Sequence, residues 1–291
     1  MFIVDVFAEQ PYAGNQLAVV VGCNDWSTAQ MQAFAREMNF SETTFVGSAQ
    51  PGSDGGYRVR IFTPAEEVPF AGHPTLGTAW VLRHFFAPAE SQVLLQLGIG
   101  AVPVGFEQRG MQGGAAQEVV WMKPRFPDLG AQRDAGELAA LLGIDAAQID
   151  DRFPCQEISI GIDFVLVPLR SLDALRGLRP MVLPKNDEGR TLFVSAFCPE
   201  TYEPGADLAT RMFFDAFGIR EDPATGSAAT CLAAYLSTHR YFGASAVNVR
   251  VQQGYELQRP SCLYLQAGMA GDATSVRVGG KVALVARGEL A

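Results

Sequence analysis

Two stretches of this 291-residue chain open apolar helices in the same manner, and together they restrict its fold more than anything else in it. Asp222-Pro223-Ala224-Thr225-Gly226-Ser227-Ala228 runs into Thr230 to Leu236 with almost no polar stripe, and a helix apolar all round sits inside other structure. Half a chain earlier, His73-Pro74-Thr75-Leu76-Gly77-Thr78-Ala79 opens the apolar run Trp80-Val81-Leu82. In both stretches the proline follows a polar residue and reads as a first-turn position, where its fixed φ suits a helix and its missing N–H is no loss. Proline, glycine, hydroxyl and alanine recur in step, with His73 and Asp222 as the leading residues. The recurrence predicts a duplicated domain, each half holding one central helix wrapped by sheet and presenting its N-terminus to a shared cleft. The plainer reading is two unrelated buried helices with proline starts.

A helix start offers unsatisfied backbone N–H groups and roughly half a positive charge, which suits an anion. Free N–H groups are therefore expected at Thr225, Gly226 and Ser227, with two hydroxyls beside them. The rest of the composition narrows the ligand. A net charge of -9 and a pI near 4.9, with no Lys/Arg run, argue against nucleic acid and against an anionic membrane surface. A small molecule is the default partner. No apolar run approaches the ~18 residues of a spanning helix, and Asp5 interrupts the N-terminal apolar stretch, so neither a membrane helix nor a signal peptide is expected. Cys23, Cys155, Cys198, Cys231 and Cys262 are odd in number and scattered, which predicts reduced thiols in the cytoplasm and no zinc site.

Periodicity places the elements between these anchors. Strands are expected at Phe2–Phe7 and Leu17–Val21, then an amphipathic helix opened by the capping box Ser27-Thr28-Ala29-Gln30 and ended by Asn39. Glu42 stands where that helix gives way to a strand reaching Val46. Tyr57–Thr63 is strand-like, as are Val93–Leu97, Ala101–Phe106 and Glu118–Met122, with a hairpin end at Gly110–Gly114. Lys123-Pro124-Arg125-Phe126-Pro127 breaks the periodicity and sets the expected division into domains 1–122 and 123–291. In the second half, Asp134 caps a helix that stops at Gly143. Strands follow at Glu157–Ile162 and Phe164–Pro168, a short helix near Ser171–Leu175, and a strand at Thr191–Phe197. After the second central helix come short strands at Val247–Gln252, Cys262–Gln266, Ser275–Val278 and Lys281–Ala286.

The chain has neither common phosphate-binding glycine loop and no metal-ligand spacing, so no cofactor and no metal are expected. Acid and base chemistry by Glu42, His73 and Asp222 is what the residues leave, each beside a structural break. Taken singly, Glu42 reads as a solvated carboxylate, Asp222 as a helix cap and His73 as a hydrogen bonder at a helix start.

Taken in order, Gly14-Asn15, Asn39-Phe40-Ser41-Glu42-Thr43, Phe62-Thr63-Pro64, Glu67 to Thr75, Asp222 to Ala228, Gln253-Gly254 and Arg259-Pro260-Ser261 resemble the successive motifs of the phenazine-biosynthesis PhzF-like isomerase family. The resemblance runs from Asp5 to Gly288. It implies the fold of diaminopimelate epimerase: two pseudo-symmetric α/β domains, each a curved, barrel-like sheet around a central helix, with a last strand able to return to the first domain. It implies a cofactor-independent isomerase, homodimeric, in which Glu42 moves a proton between two carbons of a small carboxylated, dihydroanthranilate-like ring. His73 and Asp222 match further site positions, and Gly72, Gly226 and Ser227, with Thr225 beside them, match positions that bind the substrate carboxylate or shape its pocket. Two positions depart from the family pattern: Gln16 replaces a proline after Gly-Asn, and Gln258 a frequent glycine before Arg-Pro-Ser.

Two other readings compete. One is a two-base racemase or epimerase of an amino acid, which on this fold uses a cysteine from each domain; the helix starts here carry no thiol, and Cys231 lies inside the second helix. The other is a non-catalytic binding protein on the same fold.

Overall fold

The computed structural model describes residues 1–109, 117–180, 182–216, 219–269 and 274–290; the expected hairpin end at Gly110–Gly114 lies outside them. The chain forms two compact units, Met1–Lys123 with Gly279–Ala291, and Pro124–Val278. The first contains β1 (Phe2–Val6), β2 (Asn15–Val21), α1 (Thr28–Met38), β3 (Glu42–Val46), β4 (Gly56–Phe62), β5 (Glu67–Val68), α2 (Gly72–Phe85), β6 (Gln92–Leu97), β7 (Gly100–Arg109) and β8 (Gln117–Met122). The second contains β9 (Asp128–Gln132), α3 (Ala135–Leu142), β10 (Gln156–Ser159), β11 (Asp163–Pro168), α4 (Leu172–Gly177) and β12 (Phe193–Cys198). It continues through β13 (Leu208–Ala216), β14 (Ile219–Asp222), α5 (Gly226–Thr238), β15 (Val247–Gln253) and β16 (Ser261–Ala267); β17 (Val276–Gly280) and β18 (Val282–Arg287) close the chain.

In the first unit β1 lies antiparallel between β2 and β18. β3 runs parallel to β2 and antiparallel to β4. β4 then bonds two partners, β5 antiparallel and β6 parallel, and β7 and β8 follow antiparallel. α2 packs against β1, β2, β3, β6, β7, β8 and β18, so the sheet wraps it. That explains its composition, since every face meets strand: Leu76, Val81 and Leu82 are fully buried, each contributing about 1.5–3 kcal/mol of apolar burial. Gly77 lets the helix come close, because a Cβ there would sit 2.6 Å from Leu17 Cδ2 and 2.7 Å from Val6 Cγ2. α1 lies over Val20, Cys23, Phe45 and Phe62 through Met31 and Ala35, held at its ends by the Ser27–Gln30 capping box and by Asn39 at φ 52.

The second unit repeats this wiring. β10 is antiparallel to β9 and β11, β12 parallel to β11, and β13 antiparallel to β12. β13 then bonds β14 antiparallel and β15 parallel, and β16 follows antiparallel. α5 packs against β10, β11, β15 and β16. The ladders fix the correspondence residue by residue. Phe62 faces Glu67 as Phe213 faces Glu221, and Arg58 faces Gln96 as Ala209 faces Gln252. Two side-chain clusters recur on that register. Arg60 grips Glu67 through Nε and Nη2 at 2.7 and 2.6 Å, and Arg211 grips Glu221 in the same way at 2.8 and 2.8 Å. Each guanidinium also lies over the phenylalanine two residues on, Phe62 at 5.1 Å and Phe213 at 4.7 Å.

The duplication therefore exists, in a register five residues from the one that the prolines suggest. Glu67-Val68-Pro69-Phe70-Ala71-Gly72-His73 corresponds to Glu221-Asp222-Pro223-Ala224-Thr225-Gly226-Ser227. Pro74 lies in the first turn of α2 as expected, but Pro223 lies between β14 and α5, three residues before the helix begins at Gly226. The counterpart of His73 is Ser227, and that of Asp222 is Val68.

Candidate active site

Glu42 is the first residue of β3, three positions after the left-handed Asn39 that ends α1, and it pairs across from Leu17 of β2. His73 is the second residue of α2, one position after Gly72 and two after the cap residue Ala71, which contributes no side-chain hydrogen bond. The two side chains meet: His73 Nε2 is 3.4 Å from Glu42 Oε2, with side-chain exposures of 6% and 19%. Burial pushes the His73 imidazole down to about 3, and a hydrogen bond with the Gln16 backbone offsets only part of that. The ring is neutral at physiological pH. A backbone bond that favours protonation is one the ring donates, so its hydrogen sits on Nδ1, toward the Gln16 carbonyl, and the Nε2 lone pair faces Glu42. Below the pair, buried Thr78 donates to Thr44 Oγ1 at 2.8 Å and ties the helix to β3.

In the second unit Asp222 ends β14, 6% exposed. The Thr225 hydroxyl donates to its Oδ2, an arrangement that holds the strand-to-helix turn. Gln253, the last residue of β15 and 2% exposed, reaches into the same turn. Its Nε2 donates to the Asp222 carbonyl at 2.8 Å and to Thr225 Oγ1 at 3.1 Å, and its Oε1 accepts the Thr225 N–H at 3.4 Å. The Thr225 N–H expected to be free is thus occupied, because Thr225 is the cap residue of α5 and its amide points back at β15. Gly226 and Ser227 are the first two residues of α5, whose first-turn N–H groups have no acceptor within the helix. Gly254 holds φ 81, and a Cβ there would lie 2.4 Å from the Arg259 carbonyl and 2.6 Å from that of Pro223. Gln258 sits at φ 57, which gives the physical reason why glycine suits this position.

The structure thus brings Glu42, Gly72 and His73 together in one unit and Asp222, Thr225, Gly226 and Ser227 together in the other. In the sequence Gln253 stands out only as part of the Gln253-Gly254 motif; its alignment with Leu97-Gly98 in the ladder register is what sets it apart. A cavity of about 680 Å³ in the first unit is lined by Trp26, Met31, Phe45, Arg58, Arg60 and Leu97 among others, and by neither Glu42 nor His73. Among the described residues no cluster of His, Cys, Asp and Glu has the arrangement of a metal site. Cys231 is buried within α5, its thiol raised well above the usual range by burial, so it is no acid or base.

A family model described as phenazine biosynthesis-like protein matches residues 4–288. The chain is 38% identical over 287 residues to the trans-2,3-dihydro-3-hydroxyanthranilate isomerase of Pseudomonas aeruginosa, covering 98% of this chain and 97% of that one. A solved Pseudomonas aeruginosa structure described as a predicted epimerase superposes with a TM-score of 0.77 at 34% identity, over 99% and 98% of the two chains. A Bacillus anthracis phenazine biosynthesis protein of the PhzF family superposes with a TM-score of 0.85 at 24% identity, over 98% and 96%. The fold is the expected epimerase-like α/β fold, and the chain belongs to the phenazine biosynthesis-like protein family.

Proposed function

We propose that this chain is an isomerase that moves a proton between two carbons of a small carboxylated ring of the dihydroanthranilate type, without a cofactor. The class, isomerase, rests on the family and on the full-length relatives that carry that name. The observation that carries the chemistry is the Glu42–His73 pair, a half-buried carboxyl 3.4 Å from a buried imidazole at a helix start. A neutral imidazole presenting its Nε2 lone pair can accept a hydrogen bond from the carboxyl once Glu42 has taken up a proton. Glu42 takes the substrate proton in its carboxylate form and returns it to another carbon; His73 steadies the protonated carboxyl between the two steps by accepting a hydrogen bond from its O–H. Asp222 holds a donor group of the substrate, and Gly72, Gly226 and Ser227 lie where helix-start N–H groups offset a carboxylate.

The reading extends to two domains, 1–122 and 123–291, descended from one duplicated unit, with β18 paired to β1 of the first. It extends to a cytoplasmic homodimer, supported by the family resemblance and the scattered cysteines; a one-chain mass in light scattering would overturn the dimer. Incubation of the purified protein with trans-2,3-dihydro-3-hydroxyanthranilate, followed by absorbance and proton NMR, tests the activity. Isomerised product formed in chelator-treated buffer is expected, and an unchanged substrate spectrum would contradict the proposal.

A further inference from the structure

The two repeats act as controls for each other. Where the second unit has Asp222, Thr225 and Gln253, the first has Val68, Ala71 and Leu97, at equivalent positions of the same strand–turn–helix junction. The glycines that follow Leu97 and Gln253 even pack alike: a Cβ on Gly98 would lie 2.8 Å from Pro69 Cα, and one on Gly254 3.0 Å from Pro223 Cα. The junction therefore folds with three apolar residues, and the polar trio of the second unit needs a reason other than folding. Burying such groups without use is costly, so their mutual bonding points to a task.

The bonding has a direction. The Asp222 carbonyl can only accept, so the Gln253 atom 2.8 Å from it is the amide nitrogen, and the opposite atom, facing the Thr225 N–H, is the oxygen. The nitrogen's second hydrogen goes to Thr225 Oγ1. That oxygen, already accepting from Gln253, has one hydrogen of its own, and it goes to Asp222 Oδ2. We propose that Gln253 is a positioning residue for the reaction: through the Thr225 hydroxyl it holds Asp222 as a hydrogen-bond acceptor, so that this carboxylate receives an amino or hydroxyl donor of the substrate. The inference rests on the reading of Asp222 as a substrate-holding group.

Other charges surround this turn. Glu221, next to Asp222, points to the opposite face of β14 and is engaged with Arg211 of β13, which also approaches Glu256 at 3.7 Å. Glu256 and Arg259 lie in the turn after Gly254 that packs on Pro223, and exposed Arg220 lies two residues before Asp222. None of these is altered by substitution at Thr225 or Gln253.

The test reads Asp222 itself. In protein labelled with 13C-aspartate, the Asp222 carboxyl resonance is identified by its loss in Asp222→Asn and titrated by NMR in the wild type, Thr225→Val, Thr225→Ser, Gln253→Leu and the double variant T225V/Q253L. Loss of one hydrogen bond to a carboxylate raises the midpoint by about one to two pH units. That rise is expected in Thr225→Val and in Gln253→Leu, with no further rise in the double variant and a midpoint near wild type in Thr225→Ser. An unchanged midpoint in Gln253→Leu overturns the orienting role, and one in Thr225→Val overturns the hydroxyl's direction. A Gln253→Leu protein that does not fold overturns the claim that the junction stands without the amide. Absence of turnover by the wild type with the titration shifts intact would defeat the proposed function and leave this arrangement standing.

Discussion

Replacing His73 by asparagine should make the protein markedly less sensitive to acid, and the size of the effect follows from burial. The folded state keeps the imidazole neutral down to about pH 3, whereas the unfolded chain takes up a proton near 6.5. Between those values the unfolded state binds more protons, so stability rises with pH across the window. The contribution is complete above pH 6.5 and is lost as pH falls toward 3. Each pH unit is about 1.4 kcal/mol, so the wild type loses about 3 kcal/mol between pH 7 and pH 4.5 from this residue alone, and about 4 kcal/mol by pH 3. Asparagine keeps an N–H for the Gln16 carbonyl and cannot titrate. Urea unfolding of both proteins at pH 7 and pH 4.5 gives the comparison, and carboxylates common to both subtract out. The wild type should lose about 3 kcal/mol more than His73→Asn. Equal losses would mean that His73 titrates in the fold as it does in the unfolded chain, and the neutral-ring arrangement beside Glu42 would be wrong.

Two further outcomes follow from the duplicated framework. Arg211→Met should destabilise by about 3–5 kcal/mol in urea unfolding, because it leaves the Glu221 carboxylate, only 10% exposed, without its guanidinium and removes the donor to the Leu175, Arg176 and Leu178 carbonyls; Arg60→Met, in a pair more than a third exposed, should cost about 1 kcal/mol or less. Equal costs would sink the comparison. Gly254→Ala should lose more than about 2 kcal/mol by the same measurement, since its φ of 81 and its Cβ contacts with two carbonyls both oppose a side chain; a loss below about 1 kcal/mol would contradict that.

Much of this was legible in the residues. The Ser27–Gln30 box and Asn39 bound α1 as expected, because caps act locally. The two apolar helices announced that sheet surrounds them, because composition reports burial. What misled was the spacing of proline and glycine. Pro69-Phe70-Ala71-Gly72 and Pro74-Thr75-Leu76-Gly77 follow each other closely, and both fit Pro223-Ala224-Thr225-Gly226. Only the ladder pairings decide between them, and those are long-range. β13 and β14 escaped the periodicity because Arg211 interrupts the apolar pattern, and its neutralising partner Glu221 lies ten residues along on another strand. β9 also escaped, since its five residues are exposed and carry no alternation. Glu42 and His73 were visible as polar residues at structural breaks; their contact was not, because it depends on how deeply the start of α2 sits against β3.

Glu42 is the group on which the proposed proton transfer depends. Glu42→Gln keeps size and polarity and removes the proton acceptor, so steady-state kinetics on trans-2,3-dihydro-3-hydroxyanthranilate, with binding of the substrate measured by calorimetry, isolates its role. The expected result is binding within a few-fold of wild type and a fall in kcat of about 10²- to 10⁴-fold. Turnover at the wild-type rate would contradict the account and move the proton transfer to His73 or Asp222.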